Sequence, residues 1–172
     1  MWGVVKIIIV DLNQVAIATI TAQAGNHADA VQPDLIRHMI LNSIRRFKSK
    51  FGSEYGEIVI ASDDKKYWRR ELFPYYKGNR KADREKSDFD WPMIFNTIST
   101  VREEIQENFP YRVLRVAGAE ADDIIATLCR EFCDREKILI VSNDKDFIQL
   151  LRYPGVAVYR TLTDELVASR EK

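Results

Sequence analysis

Apolar positions along this chain follow two periods. Residues 4–10 form a nearly continuous apolar run, the pattern of a strand buried on both faces, and 57–61, 111–116, 137–141 and 155–160 read as further strands. Helical stripes separate them. Pro33-Asp34 opens a helix running to about Phe51, with Leu35, Met39, Ile40, Ser43, Ile44 and Phe47 on its inner face, and Gly52 and Gly56 mark the connection to the next strand. Residues 91–108 carry Ile94, Ile98, Val101 and Ile105 on one stripe, with Pro92 in the first turn; 119–133 and a short 146–151 complete the helices. Strands alternating with helices predict a three-layer α/β domain with a mainly parallel central sheet and helices on both faces. The 172 residues suit one domain, without internal repeats or a clear linker.

Acids gather where the predicted strands stop. Asp11 closes Lys6-Ile-Ile-Ile-Val-Asp11, Asp63 follows Ile58-Val-Ile-Ala-Ser, and Asp144 and Asp146 follow Ile138-Leu-Ile-Val-Ser-Asn. Glu120, Asp122 and Asp123 open a helix. Each has an ordinary explanation alone: Asp caps helices well, and acids in a first turn complement the helix dipole. Together they exceed what capping needs. In a parallel sheet the strand ends lie side by side, so these carboxylates converge on one crevice. Crowded like charges call for a counter-ion, and a pair of hard divalent cations suits oxygen-only ligands: Mg²⁺, with Mn²⁺ able to substitute. Two such ions act on phosphate esters by activating water and steadying the leaving oxygen. His27 and His38 lie outside the clusters and read as surface or packing residues.

The composition, 46% hydrophobic and 30% charged with zero formal net charge, is that of an ordinary globular protein and gives no sign of a polyanionic partner. The distribution of charge does. Residues 65–86 hold nine Lys or Arg against three acids, interleaved with Tyr, Trp and Phe. Lys65, Lys66, Arg69, Arg70, Tyr76, Lys77, Arg80 and Lys81 form a candidate nucleic-acid-binding strip, with cations for phosphates and rings for bases. Trp68 and Phe73 fit core packing as well as stacking. Pro74, Gly78 and Asn79 interrupt any long helix there. Two cysteines, Cys129 and Cys133, imply no disulfide framework and a reducing compartment, with Cys129 on a buried stripe. The first apolar run is too short for a signal peptide or a membrane span.

The ordered set VDLN, ASDDKKYWRRELFPYYKGNRK, AEADD and SNDKDF resembles the 5′ nuclease and flap endonuclease superfamily, in particular its phage ribonuclease H branch. That resemblance implies a PIN-like domain spanning 1–172, with 65–87 as a basic helical arch. It implies a metal-dependent phosphodiesterase, a 5′-to-3′ exonuclease and flap endonuclease acting on DNA and RNA–DNA hybrids in phage replication and primer removal. Asp11, Asp63, Asp122 and Asp144 would supply a first metal site, and Glu120, Asp123 and Asp146 would lie nearer a second metal or its waters. Arg69 and Lys77 would steer the scissile phosphate, with Tyr76 near the 5′ end and Asp144 central to catalysis. The setting implied is the cytoplasm of a phage-infected bacterium, with a single-strand-binding protein or sliding clamp as candidate partners. Family members continue into a helix–three-turn–helix region carrying further aspartates. The sequence stops at Lys172 before that region, so weaker second-metal and duplex binding is expected. The rival readings are a Toprim-type catalytic domain, a PIN-type ribonuclease, and a nucleic-acid-binding module with little activity.

Overall fold

The computed structural model describes residues 5–25 and 27–168. Six strands form one sheet in the order β3-β2-β1-β4-β5-β6: β1 (Val5–Asp11), β2 (Glu57–Ala61), β3 (Arg112–Leu114), β4 (Glu136–Val141), β5 (Val156–Arg160) and β6 (Glu165–Ala168). The first five run parallel, and β6 returns antiparallel beside β5, pairing Ala168 with Ala157. The sequence pattern shows the five parallel strands but not β6, a short edge strand whose residues are almost all exposed. Residue 4, the first of the predicted apolar run, lies outside the described residues.

The period of two along the strands divides the core. Ile8 and Val10 of β1, Leu139 and Val141 of β4, and Ala157 and Tyr159 of β5 face one apolar cluster. Ile9, Ile138, Ile140 and Val158 face the other. Helices α1 (Leu12–Ala24), α2 (Pro33–Tyr55) and α5 (Trp91–Asn108) cover the first face, and α6 (Ala121–Phe132) with a 3-10 helix at Lys145–Arg152 covers the second. This is the expected three-layer arrangement, and α3 (Trp68–Leu72) and α4 (Gly78–Glu85) stand apart from it as two short arch helices.

Two helices differ from the sequence pattern. The periodicity does not single out α1: its apolar residues spread round the helix and six of its thirteen positions are buried, so no polar face marks it. Helix α2 runs through Gly52 to Tyr55, adding Phe51 and Tyr55 to its buried face. On that face Ile36 is buried and Leu35 is 40% exposed, the reverse of the expectation for Leu35. The helix stops at Gly56, whose φ of 74° and close approach leave no room for a side chain: a Cβ there would lie 2.6 Å from the Lys6 carbonyl oxygen.

Candidate metal and nucleic-acid site

The chain connects β1 to β2 and β3 on one side, then crosses to β4 on the other, so β1 and β4 flank a topological switch point. Asp11, the last residue of β1, is the N-cap of α1 and accepts the Gln14 N–H at 3.3 Å. Its second oxygen accepts the Ser142 hydroxyl at 3.1 Å, from the segment just past β4. Gln14 ties that segment down as well, its side-chain oxygen accepting the Asn143 N–H at 2.8 Å. Asp63 accepts the Ala121 N–H at 2.7 Å and the Asn13 side-chain amide at 3.0 Å, which joins the ends of β2, β1 and α6. Asp144 caps the 3-10 helix by accepting the Asp146 N–H at 2.9 Å.

Asp11, Asp63, Asp122 and Asp144 line one cavity of about 500 Å³ together with Lys77, Arg80 and Arg84. These four are the acids assigned to the first metal site. Enclosure shifts the protonation of two of them. Burial pushes the Asp11 carboxyl up to about 8, and the charges of Asp63 and Asp122 add to the shift. Burial likewise raises Asp122 to about 6 against the pull of Lys77, with Asp144, Asp63 and Glu120 contributing. Among the described residues no group of three or more acid, His or Cys side chains stands close enough together to hold a metal ion. Carboxylates that repel one another across an open cavity have this arrangement until a cation joins them. Four acids on rigid strand and helix ends, one of them held protonated chiefly by its burial, fit hard divalent cations.

The other three acids are placed differently. Glu120 and Asp123 form a capping box at the start of α6 and turn toward the arch. Glu120 is 1% exposed, yet both its oxygens are engaged, Oε1 by Lys77 at 2.6 Å and Oε2 by Arg69 at 2.8 Å. Arg69 forks onto Asp123 through 2.7 and 2.8 Å contacts. Burial would raise Asp123, but Arg69 and the Glu120 N–H outweigh it and hold the carboxyl below its ordinary value. Asp146 is exposed and lies outside the cavity lining, because the Asp144 cap fixes its backbone at the start of the 3-10 helix.

A second cavity of about 400 Å³ opens between the arch and α5, lined by Lys65, Arg70, Lys77, Arg80, Arg84 and Arg102 among others. The sequence strip supplies the first four of these. Arg84 and Arg102 were not singled out: Arg84 lies in the strip's acid-rich end, and Arg102 is a buried residue of the α5 stripe. Arg84 stacks 4.6 Å from the Phe95 ring centre and 5.4 Å from that of Trp91, which fastens α4 to α5. Burial and the Arg80 charge lower its pKa. Lys66 is exposed, and the Lys81 side chain lies outside the described residues. Tyr76 packs edge-on against Tyr67 and donates to Glu120 at 3.3 Å. Trp68 and Phe73 are 44% and 64% exposed, so neither is a core residue. Asp64, which follows Asp63, is bracketed by the Gly118 N–H and by Arg115, which lower its carboxyl to about 2. It anchors the loop before α6.

Cys129 is buried with its thiol pushed up to about 12, as a packing residue would be. His27 and His38 are exposed, and His38 pairs with Asn42. No helix among the described residues is long and apolar enough to cross a membrane.

Known proteins share this arrangement. Ribonuclease H of Enterobacteria phage T4 is 38% identical over 154 residues, which is 87% of this chain and 50% of that protein. The flap endonuclease Xni of Vibrio cholerae is 35% identical over 85 residues, 49% of this chain and 30% of its own length. The chain thus spans half or less of these relatives. Among solved structures, T5 5′-exonuclease with divalent metal ions (zinc) bound superposes with a TM-score of 0.70 at 20% identity, over 94% of this chain and 57% of that one. A T5 D15 flap endonuclease complex with DNA and metal ions gives 0.69 at 19% identity, over 94% and 57%. Both share the fold of the central sheet and its layers. Over residues 6–172 the sequence matches the family described as 5′-3′ exonuclease, N-terminal resolvase-like domain, and the chain belongs to that family.

Proposed function

We propose that this domain is a divalent-metal-dependent 5′ nuclease that hydrolyses phosphodiesters of DNA and of RNA–DNA hybrids near a 5′ end or flap junction. The observation that carries the reading is one cavity lined by acids and cations together: Asp11, Asp63, Asp122 and Asp144 with Lys77, Arg80 and Arg84. Carboxylates alone would repel a phosphodiester; cations alone would hold it without cutting. The combination serves a strand whose phosphate is gripped while water is delivered to it.

Asp11, Asp63, Asp122 and Asp144 would hold one Mg²⁺ ion, and Glu120, Asp123 and Asp146 are the candidates for a second. Bound there, the ions would lower the pKa of a coordinated water and neutralise charge on the phosphate oxygens. The chain's own side chains do the rest. Asn13 and the Ala121 N–H hold Asp63 in orientation, and Ser142 holds Asp11. Lys77 and Arg80 line the same cavity, where they would meet phosphate oxygens, and Lys65 and Arg70 line the neighbouring one, where they would extend the cationic surface along a strand. The likeness to T4 ribonuclease H and to Xni supports the nuclease reading, and the setting proposed with it is the cytoplasm of a phage-infected cell.

The test is cleavage of an end-labelled 5′ flap DNA with Mg²⁺, with Mn²⁺ and with EDTA. Metal-dependent cutting near the junction is expected. DNA binding without cutting at any metal concentration would replace the reading with a binding module, and preference for single-stranded RNA would replace it with a PIN-type ribonuclease. A Toprim-type site has no need of acids on β1 and after β2, yet both line this cavity.

A further inference from the structure

The arch is fastened to the acids below it. Arg69 sets Nη2 2.7 Å from Asp123 Oδ1 and Nη1 2.8 Å from Asp123 Oδ2, with Glu120 Oε2 also 2.8 Å from Nη1. Trp68 donates its indole N–H to the same Asp123 oxygen at 3.3 Å. Lys77 reaches Glu120 at 2.6 Å from a left-handed backbone conformation, φ 56°, that a non-glycine residue adopts at a cost. Charge-assisted contacts hold it there. The tip between these two anchor points, including Leu72, Phe73 and Tyr75, is exposed.

Helix capping does not account for this. The capping box uses the Glu120 N–H with one Asp123 oxygen and the Asp123 N–H with the Glu120 side chain, yet Asp123 also accepts the two-pronged guanidinium. The consequence concerns Arg69 and Lys77, the two cations that the family resemblance assigns to the scissile phosphate. Both are already neutralised by carboxylates, so a phosphate must take them from Asp123 and Glu120. We propose that Asp123 is a positioning residue, a latch that holds Arg69 and with it the arch in the nucleic-acid-free protein and yields Arg69 to a phosphate of the incoming single strand. The latch rests on the nuclease reading for its ligand but not for its geometry.

Asp123→Asn keeps an oxygen to cap Glu120 and loses the charge that binds Arg69. The affinity for a single-stranded oligodeoxynucleotide, measured in EDTA at fixed ionic strength, should tighten about fivefold in this variant, the scale of one charge-assisted competitor removed. In an Arg69→Ala background the same substitution should change affinity by less than about 1.5-fold, because the latched cation is gone. Equal tightening in both backgrounds would mean that a negative charge was removed from the field and nothing more, and would overturn the latch. Amide hydrogen exchange over residues 68–86 of the free protein gives a second reading. It should quicken by about tenfold in Asp123→Asn and in Arg69→Ala alike, while β1 and β4 stay protected; unchanged exchange in the arch also overturns the proposal. If the wild-type protein neither binds the oligonucleotide nor cuts flap DNA, the nuclease reading falls. If it does both and the two backgrounds respond equally, only the latch falls.

Discussion

Replacing Asp11 by Asn should stabilise the metal-free protein while removing its response to metal. Asp11 is buried, with a carboxyl raised from an ordinary 3.8 to about 8 by burial first and then by Asp63 and Asp122. The unfolded chain ionises this group above about pH 4, whereas the folded chain keeps its proton up to about 8. Between those values the folded state holds the extra proton, so stability falls as pH rises. At pH 7 the accumulated penalty is about 4 kcal/mol. Asparagine is neutral at every pH and caps a helix as well as aspartate does, so its acceptor for the Gln14 N–H survives. The Ser142 hydroxyl now meets a weaker acceptor or an amide donor, which returns about 1 kcal/mol of the gain.

A net gain of about 3 kcal/mol corresponds to roughly 6–12 °C in melting temperature for a domain of this size. Thermal unfolding followed by circular dichroism in EDTA, at pH 5, 7 and 8, measures it. The gap between variant and wild type should widen steadily with pH. Mg²⁺ should then raise the wild-type melting temperature in proportion to its binding to the folded state and leave the variant nearly unmoved. A variant that melts at or below wild type in EDTA at pH 8 refutes the reasoning, as does a gap that does not grow with pH.

Asp144→Asn should abolish metal-dependent cleavage of flap DNA and leave the far-ultraviolet spectrum intact, since the amide oxygen still caps the 3-10 helix; undiminished turnover would remove Asp144 from the site. Mg²⁺ affinity, measured by calorimetry in buffers of different ionisation enthalpy, should improve up to about tenfold per pH unit between about pH 6, where Asp122 has ionised, and about pH 8, where Asp11 gives up its proton, and flatten above that. Gly56→Ala should cost about 2 kcal/mol or more in urea unfolding, because its Cβ would sit 2.6 Å from a backbone oxygen at a left-handed φ. Ile140→Ala, at a side chain with no exposed surface in the centre of β4, should cost about 3 kcal/mol in the same assay.

The parts of the site that the sequence shows are those carried by strand ends. A run such as Ile-Ile-Ile-Val-Asp states both that a strand is buried on two faces and where its last side chain emerges. Parallel pairing of β1 with β2 and β4 in matching register then brings Asp11 close to the residues after Ala61 and Val141. Asp63 and Asp144 follow by one or two residues of turn, which is too little chain to wander. Asp146 shows the limit of the rule. Two residues beyond Asp144, its direction is set by a cap in a 3-10 turn, and the spacing D-x-D does not specify that.

The cationic half of the site is harder to read because its geometry is made by partners far apart in sequence. Arg69 and Asp123 are 54 residues apart and Lys77 and Glu120 are 43 apart; neither pairing leaves a local trace. Arg102 looks like one polar residue on an otherwise apolar stripe, and it becomes part of a cavity only when α4 packs beside α5. The acids themselves explain why such long-range pairs form. Glu120 is almost wholly enclosed at the start of α6, and an enclosed carboxylate without a cation is expensive in a folded protein. Asp11 meets that expense by keeping its proton. Glu120 meets it by drawing Lys77 and Arg69 down from the arch, which fixes the arch over the cavity as a consequence of the charge below it.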